Sequence, residues 1–517
     1  PGRGPQVFLG ATNTLIDAGA GIDTIYGWSN IDGSSIDGGA GVDTIRWGYG
    51  ITINGDRVGS TITNGLFEGG LDEDSITIQA NRVVNTSIYG GGESEGANDS
   101  DDNIIVEGYG SSIRGSARIN VEVSGSLVQG NAGSDSIRVG DLATGTSASA
   151  ASNIYDSTIR GGKNGDEITV GARFDITNSI IFGDSGDDVI NVSAGRDIIN
   201  STIQGGSDTD TTNDLADEIT INSGENISGT SIQGNAGDDT FDVTTSFLTD
   251  TTVRGGKDSD IIGVTASTVD ASQIFGDNGS DTLTVSASAN IQGSSIFGGS
   301  FDDTTRDGAD FIAITGGLTI TNSLISGNGG DDTVNIQTPL FSRSTAQGGK
   351  GNDSLSFLPT GAYEIRNSVI SGDLGNDTIF ISGTDGVIND SSIYGGNALL
   401  AEGTGEDLIS IQATITNSLI DSGDGEDTII VSGEIVNTTI EGGAGQIILG
   451  GMTSSSLEGT AGDDSIEING SVTKSSINGM GGNDTLIVDG RFGGSTIDGG
   501  EGNDSLAVGG GKGGAVI

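Results

Sequence analysis

Cysteine and histidine are both absent from the 517 residues, and proline, methionine and tryptophan occur only four, two and two times. Without cysteine there is no disulfide framework, no thiolate nucleophile and no thiolate zinc cluster. Without histidine the commonest general base and the commonest transition-metal ligand are missing. Carboxylates, hydroxyls and amides are what remains for chemistry. No apolar run reaches the ~20 residues of a membrane helix, and no apolar stripe recurs at the helical period. A basic-then-apolar leader is also absent at Pro1, which leads us to expect a mature, processed or partial chain.

Glycine and acid are abundant instead. There are 93 glycines, and 72 acidic residues stand against 20 basic ones, a net charge of −52. Glycine without a Gly-X-Y period is not collagen, and proline is too rare for a disordered linker. The acidity argues against nucleic acid and anionic membranes as partners, because phosphates would be repelled. It argues for bound cations, since so much uncompensated charge drives a compact state apart. A merely solubilising or halophilic surface is the plainer reading, and the regular placement of the acids speaks against it.

One repeat runs from end to end. Ser476-Ile477-Asn478-Gly479-Met480-Gly481-Gly482-Asn483-Asp484-Thr485-Leu486-Ile487-Val488 returns twenty residues later from Thr496 to Val508. The unit is S/T-I-x-G-x-x-G-x-D-x-I-x-V. Its aspartate recurs as Asp23, Asp43, Asp74, Asp102, Asp135, Asp166, Asp188, Asp217, Asp239, Asp260 and Asp281. It continues as Asp310, Asp332, Asp353, Asp377, Asp407, Asp427, Asp464, Asp484 and Asp504. A degenerate copy lies at Gly442-Gly443-Ala444-Gly445-Gln446, where Gln446 takes the aspartate's place, and Ser111 to Val123 reads as a further coil without the motif.

Apolar residues sit two and four positions after each aspartate (Ile219 and Ile221, Leu486 and Val488). They also sit seven positions before it (Ile159, Ile370) and five before that (Ile154, Ile365). Each set marks a short strand with one face inward. Three such strands make a coil that cannot bury its own apolar face, so coils must stack like on like. The expected fold is all-β: a right-handed parallel β-helix or β-roll solenoid of about 21–23 coils, roughly 100 Å long at ~4.8 Å per coil. We expect residues 1–517 to form a single continuous solenoid. Asparagines three positions before the strand isoleucine (Asn85, Asn178, Asn200, Asn322, Asn367, Asn417, Asn437) read as turn formers in a partial stacked ladder. In coils 4, 8, 12 and 16 a mostly acidic insertion separates the isoleucine from its aspartate, near residues 89–101, 204–216, 297–309 and 394–406. These four-coil punctuations are expected to project from one edge.

The glycine–aspartate turn suits Ca²⁺, which takes six to eight hard oxygen ligands in flexible geometry. Glycine allows positive φ and brings carbonyls together, the aspartate brings charge, and the next coil brings opposing oxygens. All twenty aspartates are therefore candidate metal ligands, with Ca²⁺ the expected ion. Gly38-Gly39-Ala40-Gly41-Val42-Asp43-Thr44-Ile45 and Gly499-Gly500-Glu501-Gly502-Asn503-Asp504-Ser505-Leu506 resemble the G-G-x-G-x-D-x-U-x nonapeptide of RTX (haemolysin-type) calcium-binding proteins. That resemblance implies a right-handed β-roll folded by extracellular Ca²⁺ and exported without an ordinary signal peptide. RTX motifs follow one another every nine residues and make two ion rows. Here one motif serves each coil, which implies a single row and a wider coil.

Long acidic Gly–Asp chains of this kind also look like cyanobacterial oscillin-type surface proteins and bacterial S-layer proteins. The expected function is accordingly structural: a secreted, Ca²⁺-stabilised component of a cell surface, sheath, fibril or S-layer that self-associates end to end or laterally. A cell-surface polysaccharide is a further candidate partner. The alternatives are the repeat region of an RTX-like adhesin or toxin, and a polysaccharide-acting β-helix enzyme. An enzyme needs a local break in the repeat with basic residues beside acids, and here the basic residues are scattered, so no catalytic residue is assigned.

Overall fold

The computed structural model describes the chain except residues 1–5, 9–10, 29, 49–50, 54–55, 59, 92–99, 109–120, 141–152, 207–213, 301–305, 397–404, 444 and 511–517. Two compact units divide it, Pro1–Thr265 and Ala266–Ile517. Among the described residues every regular element is a strand. Apart from one antiparallel hairpin, Ile51–Ile53 with Asp56–Val58, the recorded pairings are parallel. Each unit is a parallel β-solenoid.

A coil of the first unit shows the plan. The strand Ile180–Ser185 leads into the Gly186–Asp188 corner, and Val189–Ala194 follows. After a second corner comes Asp197–Ile199, then a turn at Asn200–Ser201 that starts the next coil. Side chains alternate in and out along each strand, and the inward ones stack in register. One row of the first unit runs Ile104, Ile137, Ile168, Ile190, Ile219 and Phe241. A row of the second runs Leu283, Ile312, Val334, Leu355, Ile379 and Ile409. All are buried. Among the described residues, the strand that precedes the aspartate corner occurs ten times in the first unit and eleven times in the second.

The asparagines expected at turns are there for their backbone. Asn85, Asn178, Asn200, Asn322, Asn367, Asn417 and Asn437 have φ between 48° and 52°, the left-handed region that asparagine tolerates better than branched residues. Their side chains make only a partial ladder, as in Asn437 Nδ2 to Asn417 Oδ1 at 2.7 Å.

Beside them is a ladder that the repeat pattern did not announce. The Ser or Thr after each asparagine points inward, and its hydroxyl accepts the backbone N–H of the equivalent residue one coil earlier. Ser344 N donates to Ser368 Oγ at 3.3 Å, Ser368 N to Ser391 Oγ at 3.2 Å, and Ser391 N to Ser418 Oγ at 3.2 Å. Each hydroxyl in turn donates to the carbonyl two residues back, as Ser391 Oγ does to Asn389 O at 2.9 Å.

Two expectations change. Glu122–Ser124 pairs directly with Arg82–Val84 on one side and Asn153–Tyr155 on the other. It is therefore the second strand of the coil that begins at Asn103, and residues 109–120 lie outside the described residues. Gln446 pairs with Thr428 and Ser465, so it follows the aspartate position instead of occupying it. Gly445 stands there, because this turn is two residues shorter. The acidic insertions fall largely in 92–99, 207–213, 301–305 and 397–404, outside the described residues.

Ile379→Ala should cost about 2–5 kcal/mol by opening a cavity between stacked rows. Thr378→Ala, on the outward side of the same strand, should stay within about 0.5 kcal/mol. Denaturant unfolding of the two variants tests this inward and outward assignment, and equal losses would overturn it.

Candidate functional site: the aspartate corners

The expected aspartates all come to one corner and stack. In the first unit the backbone N–H of Asp23 donates to Oδ1 of Asp43 at 2.7 Å, and Asp43 to Asp74 and Asp74 to Asp102 do the same. The chain of bonds continues through Asp135, Asp166, Asp188, Asp217 and Asp239 to Asp260 at 2.7–2.8 Å. In the second unit it runs from Asp281 through Asp310, Asp332, Asp353, Asp377 and Asp407 to Asp427. It resumes as Asp464, Asp484 and Asp504. Gly445, at the short turn, bridges the gap weakly, its N–H reaching Asp464 Oδ1 at 3.4 Å.

The aspartate's own carbonyl returns to the ordinary strand ladder, as where Ser75 N donates to Asp43 O at 3.0 Å. The corner is thus, like the Ser/Thr turn, a place where a side chain substitutes for a main-chain acceptor. Sequence reasoning put these aspartates in register and missed this cause.

The second carboxylate oxygen has a different environment. Oδ2 of Asp43, Asp166, Asp188, Asp217, Asp239, Asp310, Asp332, Asp353, Asp377, Asp407 and Asp484 is buried with no hydrogen-bond partner. It lies over the glycine that opens the turn. A Cβ on Gly183 would meet Asp188 Oδ2 at 2.2 Å and the Gly205 carbonyl oxygen at 2.5 Å. On Gly161 it would meet Asp166 Oδ2 at 2.1 Å. Glycine is required here for space. Only Ala18 and Ser422 depart from it at the position that faces a rung.

Burial pushes the rung carboxyls up, to about 9 for Asp166, Asp239 and Asp310, about 10 for Asp217 and about 8 for Asp353. Asp188 and Asp377 rise to about 7. The N–H received at Oδ1 works against the rise, and neighbouring aspartates add to it.

At a rung, Oδ2 and a carbonyl oxygen of the next coil face the same turn-opening glycine, as at Asp43, Asp166, Asp188, Asp239, Asp377 and Asp484. Among the described residues no three acidic side chains group as ligands for a metal ion. One carboxylate oxygen and one carbonyl at a rung are fewer than the six to eight oxygens Ca²⁺ takes, so these atoms alone do not complete a calcium shell and no step is derived through one.

A second set of polar residues marks the insertions. At the position after the turn-opening glycine, the coil that follows an insertion carries Asn131, Asn235 or Asn328, with φ of 82° to 92°. The coil before one carries Asp184, Asp277 or Asp373, with φ of 77° to 83°. Asn235 Nδ2 donates to Gly206 O, and Asn328 Nδ2 to Gly299 O, both at 2.8 Å. Asp214 accepts the N–H of Ala236 at 3.2 Å, and Asp307 that of Gly329 at 3.0 Å. Both insertions are pinned at the root in the same way. The signal was the four-coil period at this position, legible once the coils are aligned.

No family model matches the chain, and no curated protein does. Among solved structures, the surface protein and adhesin PfbA of Streptococcus pneumoniae aligns over 94% of this chain and 91% of its own. The identity is 12% and the TM-score 0.09, a likeness that carries no argument about fold or function.

Two outcomes follow. A carboxyl that keeps its proton only when folded stabilises the fold most in acid, below the unfolded value of 3.8. Above that value the unfolded chain releases the proton first, so metal-free stability should fall as pH rises from about 4 to about 10 and then level off. Thermal melts in chelator across that range check it, and stability that climbs with pH would contradict the protonated rungs. Gly183→Ala should cost about 1–3 kcal/mol by overpacking, measured by denaturant unfolding, whereas alanine at an outward strand position should not.

Proposed function

We propose that this chain is a structural, non-catalytic solenoid of an extracellular cell surface, sheath or layer, acting through its repeated surface and its association with further copies. One observation carries the reading: the side chains that recur in every coil, and that would have to perform any chemistry, are turned inward. The rung aspartates from Asp23 to Asp484 are at most 6% exposed, and their Oδ1 atoms are engaged by the backbone of the neighbouring coil. They hold the coil and are withdrawn from a substrate. The absence of cysteine and histidine from the sequence points the same way.

Charge sets how such surfaces meet. Outward acids stack directly on one another, Asp421 on Glu441 on Glu458 in the second unit and Asp17 on Asp37 on Glu68 in the first. Burial and the neighbouring acids Asp421 and Glu458 raise the Glu441 carboxyl above the usual range. Like charges in register repel, and repulsion between acidic faces keeps copies apart unless cations screen or bridge them. Lateral association is therefore expected to need divalent cations. The reading as the repeat region of an adhesin or toxin is separated from it by the same experiment.

Light scattering and electron microscopy of purified chain, first in chelator and then with millimolar Ca²⁺ or Mg²⁺, test the proposal. Growth into ordered particles on adding the cation, reversed by chelator, is the expected result. A dispersed monomer at high concentration with the cation present would overturn it in favour of the adhesin or toxin-repeat reading.

A further inference from the structure

We infer that the corner aspartates act as hydrogen-bond acceptors of a continuous side-chain ladder, a role that asparagine can fill, and not as ligands of a calcium row. At the turn after each asparagine, a backbone N–H donates to a side-chain oxygen one coil on, and that oxygen belongs to an uncharged Ser or Thr, as in Ser368 N to Ser391 Oγ at 3.2 Å. At the aspartate corner the bond has the same direction and the same one-coil step, as in Asp166 N to Asp188 Oδ1 at 2.7 Å. The two corners differ in reach, not in kind. A hydroxyl spans the first, and a longer side chain is needed to span the second.

Negative charge is not what that bond requires, since stacked buried charges are a cost unless each is compensated. The remaining oxygen gives the same answer. Asp188 Oδ2 has no donor, and the Gly205 carbonyl oxygen faces the same glycine Cα. Two acceptors meeting over one glycine call for an N–H or O–H between them. An amide supplies it: the carbonyl half keeps the N–H of the previous coil, and the NH₂ half turns toward the glycine carbonyl. Aspartate at a fixed register in every coil therefore has a cause in the backbone that involves no ion.

The test uses the full chain. Asp166→Asn, Asp188→Asn and Asp377→Asn, singly and combined, should melt within about 3 °C of the unsubstituted chain, in EDTA and in Ca²⁺ alike. Asp188→Leu keeps the shape and removes the acceptor, so it should melt clearly lower under both conditions. Asparagine variants as damaging as Asp188→Leu in EDTA would overturn the acceptor role. An unsubstituted chain whose melting temperature rises steeply with Ca²⁺, a rise that the asparagine variants lose, would overturn it in favour of a metal row. Calorimetric titration of the unsubstituted chain with Ca²⁺ needs no variant to fold. Saturation near one ion per rung contradicts the inference, and no saturable heat agrees with it.

Discussion

A backbone N–H at the bend of a β-coil points along the stack at a place where the main chain has turned away, and leaving it buried and unpaired would cost about 1–3 kcal/mol. In a plain coil of this protein each of two such N–H groups is met by a side-chain oxygen from the next coil. The hydroxyl ladder serves one bend and the aspartate ladder the other. Because the acceptor always comes from a neighbouring coil, the bond that completes a corner also ties two coils together. Stacking is thereby cooperative in its polar groups as well as in its Ile, Val and Leu rows.

The same constraint explains the glycine pattern. A carboxyl that reaches across a coil boundary must lie over the start of its own turn, and only a residue without Cβ leaves room for it. Gly161, Gly183 and Gly234 each face the carboxyl of their own rung at 2.0–2.2 Å from a would-be Cβ. Aspartate and glycine thus form one structural unit separated by five residues in a plain coil. In the inserted coils the two are farther apart in the chain, as Gly205 and Asp217 are, and still meet. An insertion is tolerated at that turn because the unit closes in space, and Asn235 with Asp214, or Asn328 with Asp307, fastens the chain where it leaves and rejoins.

Charge therefore falls into two populations. Acids on the outer faces stay in water. Acids at the rungs are inside, and several hold their protons at neutral pH because burial outweighs the single N–H each receives. The formal charge of −52 counts both alike. It overstates the field that a partner meets and understates the solvation work done in folding.

Periodicity alone determined the fold class, the inward rows and the place of all twenty aspartates, since two-residue alternation and a recurring coil admit few other packings. Asn at the turns was legible for the same reason, as its left-handed φ is a local property. The hydroxyl ladder was not, because Ser and Thr are common on every face of this chain and only the stacked coil distinguishes the inward ones. The displacement of Gln446 by Gly445, and the folding of Glu122–Ser124 into an existing coil, also needed the pairing partners, which lie a coil away. What each aspartate touches within the chain was decided by tertiary structure. Its register is written in the sequence, but whether a carboxyl at that register faces an ion, water or a backbone N–H depends on the adjoining coil. Here the adjoining coil presents an N–H to one oxygen and a glycine to the other.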